Sequence, residues 1–233
     1  MARFLLLAGT CGLALWNGAA SADQLRPAPA VKRESMFHAG LPHRGAAVLY
    51  DQSAGDKQLG VLSQHFLDLG FSVYDSQGAD DFVLPTGKHK ITEVMANGLY
   101  YQGSGPAASF NVFLYKGDSR STCCVKVIQA CPNQSYTDVS GTGFVDIRLS
   151  GCTGSRYAKL KGGKRYFISV QANMNFESGG EWGWNTNSAV SGRPSFWQNP
   201  ENGSSSGCVT YTRTTTCLSL GEGGDFAFAL LGR

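Results

Sequence analysis

From Ala46 onward the chain runs as short apolar-alternating stretches, each ended by glycine, asparagine, aspartate or proline, and such a pattern admits little but β-structure. The candidate strands are Ala46–Tyr50, Phe71–Tyr74, Asp81–Leu84, Lys90–Tyr101, Ser109–Tyr115, Cys124–Gln129, Phe144–Leu149, Lys164–Gln171, Glu181–Trp184, Cys208–Thr212, Thr215–Leu220 and Asp225–Leu231. One stretch, Leu59 to Leu69, has helical spacing, with Leu62, Phe66 and Leu69 on one side and Gly70 placed to end it. Phe110, Val112 and Leu114 share a strand face, as do Tyr166, Ile168 and Val170. Phe113, Tyr115 and Phe167 fall on the other face, so these strands need cover on both sides. The expected fold is all-β: an antiparallel two-sheet sandwich of jelly-roll type, stapled by disulfides.

The first residues point to export. Arg3, the apolar stretch Phe4 to Trp16 and Ala20-Ser21-Ala22 have the layout of a cleavable signal peptide over residues 1–22, too short an apolar run for a membrane span. Residues 23–45, with Pro27, Pro29, Pro42 and Lys32-Arg33, read as a flexible leader, and 46–233 as one domain. Cys11 leaves with the signal. Cys123, Cys124, Cys131, Cys152, Cys208 and Cys217 remain, an even set suited to an oxidising compartment outside the cell. The expected pairing is Cys208 with Cys217 across a hairpin, Cys131 with Cys123 or Cys124, and Cys152 with the one left over, because adjacent cysteines rarely bridge. A zinc site is disfavoured, since His38, His43, His65 and His89 all precede these cysteines and no paired C-x-x-C units occur.

The segments Ala79–Pro85, Ile91–Val94, Phe110–Val112, Gly163–Ala172, Gly180–Trp184 and Gly224–Phe228 resemble a secreted bacterial β-sandwich module that occurs alone or beside other domains in exoproteins. The resemblance covers most of Tyr50 to Gly232. It implies the fold and the compartment and brings no activity with it. The cysteine cluster from Cys123 to Cys152 departs from that module's pattern.

Chemistry is sparser. Trp182 and Trp184 flank Gly183 on one strand side, with Glu181, Asn185 and Trp197 nearby. Exposed, these residues would form an aromatic platform for a glycan or other cell-surface component; buried, they would fill the space between sheets. Asp80, Asp81 and Asp225 open strands and could converge on a structural calcium ion, or could bind backbone N–H groups at turns. Glu177 and Glu181 would suit a glycan-degrading hydrolase only if they flanked a cleft. Gly203-Ser204-Ser205-Ser206-Gly207 matches G-x-S-x-G but lacks the following helix that a nucleophile elbow needs. Arg156, Lys159, Lys161, Lys164 and Arg165 could meet a polyanion, or could guard a strand edge. A net charge of +3 argues against general nucleic-acid binding. The favoured reading is a secreted non-catalytic glycan-binding module, with a structural or adhesive surface protein next and a hydrolase third.

Overall fold

The computed structural model describes residues 25–27, 46–53, 57–117, 123–141, 143–187, 190–218 and 224–233. The expected signal peptide, and all of the expected leader but residues 25–27, lie outside them. The expected all-β sandwich is found, built from three hydrogen-bonded sheets. A six-stranded sheet contains β2 (Ala47–Asp51), β6 (Lys88–Ala96), β10 (Tyr136–Asp138), β11 (Val145–Arg148), β12 (Ala158–Lys161) and β18 (Phe228–Gly232). A seven-stranded sheet contains β4 (Gln64–Phe66), β5 (Gln77–Val83), β8 (Ser109–Lys116), β9 (Lys126–Gln134), β13 (Arg165–Met174), β15 (Phe196–Gln198) and β16 (Thr212–Arg213). The third sheet joins β1 (Leu25–Pro27), β3 (Lys57–Leu62), β7 (Gly98–Tyr101), β14 (Glu181–Asn187) and β17 (Asp225–Phe226). Among the described residues all strand pairings are antiparallel except β4 with β13.

One core unites the sheets: Ile91, Val94, Ile147, Phe228 and Leu230 from the first, Phe82, Phe110, Val112 and Ile168 from the second, and Val61, Trp184 and Phe226 from the third. Each such side chain contributes about 1.5–3 kcal/mol by leaving water. The alternation of β8 and β13 also holds on their second face. There Tyr115 and Phe167 join Ala79, Cys123 and Phe196 in a small separate cluster, against which Phe113, Cys124 and Tyr211 pack.

Several local expectations change. Leu59–Leu69 is no helix: β3 and β4 occupy it, because Val61, Leu62 and Phe66 are buried by strands on either side. Phe71–Tyr74 yields only a 3-10 turn at Ser72–Tyr74, and Thr214–Cys217 is a single helical turn, α2. Cys208–Cys217 forms as expected. The other pairs differ: Cys131 bridges Cys152, and Cys123 bridges its neighbour Cys124. Cys131 is fully buried at the β9 edge, where Thr153 N–H donates to Ala130 O at 2.7 Å, so Cys152 is delivered directly to it.

Candidate functional site

The tryptophans lie inside. Trp182, Trp184 and Trp197 are each 0 % exposed. Their indole N–H groups donate to Gly143 O at 2.9 Å, Ala227 O at 3.0 Å and Leu62 O at 2.7 Å. Trp182 meets Phe110 edge to face at 5.0 Å. Gly98 is glycine because a Cβ there would stand 2.4 Å from the Trp182 ring. Asn185 is buried too, donating to Asn97 Oδ1 at 2.9 Å, and Glu181 is 8 % exposed. The aromatic platform over Trp182, Trp184, Trp197, Glu181 and Asn185 is therefore corrected. Alternation puts the indoles on one side of β14, but β14 lies between β3 and β7 with every residue buried, so that side is core. Glu177 sits on an exposed turn, α1 (Phe176–Gly179), while Glu181 belongs to buried β14, which does not suit a hydrolytic pair.

The aspartates act on backbone. Asp80 Oδ2 accepts from Phe226 N at 2.6 Å and Gln52 Nε2 at 2.9 Å, and its Oδ1 accepts from Asp81 N at 2.8 Å. Asp81 Oδ1 accepts from Arg193 N at 2.7 Å, and its Oδ2 pairs with the Arg165 guanidinium. Asp225 accepts from Ser191 N, leaving Oδ1 buried without a partner. Among the described residues no three His, Cys, Asp or Glu groups could hold a metal ion, so Asp80, Asp81 and Asp225 do not form the calcium site. Burial raises the Asp225 carboxyl to about 6, and burial together with Asp225 raises Asp80 well above the usual carboxylate range.

A polar face lies elsewhere, on the outer side of the seven-stranded sheet, where Gln77, Asn111 and Gln198 are half-buried and Gln171 and Asn173 are buried. Register sets Asn111 opposite Gln171, Ser109 opposite Asn173, and Gln77 opposite Gln198. Asn173 Nδ2 donates to Ser109 Oγ at 2.9 Å and Asn111 Oδ1 at 3.0 Å; Asn111 Nδ2 donates to Asn173 Oδ1 at 2.7 Å; Gln198 Nε2 donates to Gln77 Oε1 at 2.7 Å. The amide planes are thereby oriented. A hollow of about 310 Å³ opens beside them, lined by His65, Asp75, Ser76, Gln77, Asn111 and Gln171. His65 Nδ1 lies 2.5 Å from Asp75 Oδ2, a pairing that nine intervening residues concealed in the sequence. Ser76, the one hydroxyl in that lining, is fully buried and donates to Leu62 O at 3.1 Å, so the pair has no exposed nucleophile there. Sequence reading missed this face because its amides are scattered over four strands.

No protein-family model matches the chain, and no curated protein matches its sequence.

Proposed function

We propose that the chain is a secreted, non-catalytic module that binds carbohydrate through the amide face of the seven-stranded sheet. The observation that carries this reading is the hydrogen-bonded amide ladder at the rim of the 310 Å³ hollow. Sugar hydroxyls need donors and acceptors side by side, and amides already held by their neighbours lose little freedom on binding. The signal-like first 22 residues, the three disulfides and the likeness to secreted bacterial modules support a place outside the cell.

An adhesive role through strand addition is less well supported. The outer strand β9 carries Lys126 and Pro132, its pairing with β8 has two irregularities, and Thr153 covers it at Ala130. Those devices keep an edge from pairing. Glycan-array binding by the parent chain beside Asn111→Ala/Gln77→Ala tests the proposal. Signal on neutral glycans that is lost in the variant is the expected result; equal signal on neutral glycans from both proteins overturns it.

A further inference from the structure

The strongest electrostatic feature is a set of like charges placed directly opposite one another. In the pairing of β12 with β6, Lys159 faces Lys90 and Lys161 faces Lys88. At the neighbouring end of the seven-stranded sheet, Lys116 faces Lys126. All six are exposed, and among the described residues none forms an ion pair. Cross-strand partners stand about 4.5–5.5 Å apart at Cβ, where like charges destabilise a sheet.

Edge protection does not account for this arrangement. Only β12 is an edge here: β6 has β12 on one side, and on the other Lys90 exchanges backbone hydrogen bonds with Arg233 at 2.7 and 3.0 Å. A guarded edge needs lysines on β12 alone, yet an equal number project from the interior strand beside it. The result is a row of three cations, Lys159, Lys90 and Arg233, across three adjacent chain segments, with Lys161 and Lys88 in the next row. They line a hollow of about 520 Å³. A second hollow of about 600 Å³ shares Lys159 and Lys161 and continues past Lys116 and Lys164 to Arg193. The cationic band therefore wraps the β12 edge from one sheet to the other.

We propose that this band is a binding surface for an extended acidic polysaccharide, one bearing a carboxylate or sulfate on successive sugars. Lysines repeat about every 7 Å along a strand and about 5 Å across strands, a two-dimensional lattice that a linear polyanion can follow in one layer. Bound anions would remove the repulsion that the free sheet carries. Nucleic acid fits less well: of the two rings that line the band, Tyr166 is 8 % exposed and His89 is half-buried with its Nε2 2.8 Å from Pro85 O, which leaves no broad aromatic face for successive bases to stack on. The band shares no lining residue with the amide hollow, so the two surfaces fail or succeed separately.

The test uses the full chain, titrated with polygalacturonate, with neutral dextran and with a DNA duplex of matched charge, over a series of salt concentrations. Polygalacturonate is expected to bind with an affinity that falls as salt rises. K90Q/K159Q should bind roughly thirtyfold more weakly, on the scale of surface lysines facing an anionic layer. Its salt slope should drop by about 2, one for each charge removed. R148Q/R213Q, changed at exposed arginines elsewhere, should bind as the parent does. K90Q/K159Q should also unfold at a higher temperature in low salt, since a repulsion has been removed. Undiminished polygalacturonate binding by K90Q/K159Q, DNA bound as tightly as polygalacturonate, or dextran binding weakened as much as polygalacturonate binding by K90Q/K159Q would each overturn the proposal. So would a lower unfolding temperature for K90Q/K159Q, which would show that the lysines serve the fold.

Discussion

The indole of Trp184 lies flat on the ring of Phe226, with centroids 4.5 Å apart and planes 12° from parallel. The contact ties β14 to β17, and the Trp184 N–H bond to Ala227 O secures the same junction. Trp184→Ala should therefore destabilise the domain by about 3–5 kcal/mol, the range for emptying a buried aromatic site. Trp184→Phe, which keeps a ring and leaves the Ala227 carbonyl its bond from the Asn97 N–H, should cost less. Chemical denaturation of both variants decides this, and a neutral Trp184→Ala would place the indole outside the core.

Asp225 makes stability depend on pH. Its carboxyl ordinarily titrates near 3.8 and is raised to about 6 by burial, so the folded state holds the proton more tightly than the unfolded chain does. A raised acid contributes stability that is full below the unfolded value and disappears as pH climbs through the folded one. The unfolding temperature should fall between pH 4 and pH 7, and Asp80, raised by burial and by Asp225, adds in the same direction. Asp225→Asn should flatten that slope and unfold at a higher temperature than the parent at pH 7.5. An unchanged pH profile in the variant would remove Asp225 as the cause.

The three disulfides should contribute unequally. Cys131 and Cys152 are 21 residues apart, whereas Cys123 and Cys124 are adjacent and enclose no loop. On the chain-entropy account the first is worth about 3 kcal/mol and the second close to nothing, because only a closed loop restricts the unfolded chain. Cys131→Ala/Cys152→Ala should lower the denaturation midpoint sharply and Cys123→Ala/Cys124→Ala little. The reverse order would show that the adjacent pair matters through its cover over the Tyr115 and Phe167 cluster.

Period-two alternation made the sandwich legible, down to the second face carrying Phe113, Tyr115 and Phe167. Alternation says which side chains share a face, not whether that face is wet. Trp182 and Trp184 were thus correctly grouped, and only the placement of β14 between β3 and β7 reveals them as core. Long-range register was hidden for the same reason. Lys159 and Lys161 form a visible local run, but their partners Lys90 and Lys88 lie on a strand far away in sequence. The ladder joining Asn111 to Asn173 is of this kind as well, since single amides carry no local pattern.

The outer strand β9 shows how one charge can hold an edge apart. Val125, Val127 and Ile128 are 67 %, 47 % and 38 % exposed, and Lys126 stands among them. Replacing that lysine by valine would create an uninterrupted apolar run from 125 to 128 with high β-propensity and no charge, the composition that promotes pairing between chains. Thr153 covers the strand only further along, at Ala130, and would not shield the new run. Lys126→Val should therefore self-associate in size-exclusion chromatography with light scattering, while Lys126→Glu should elute at the same volume as the parent. A Lys126→Val protein that stayed dispersed at high concentration would show that the irregular β8–β9 pairing protects this edge unaided.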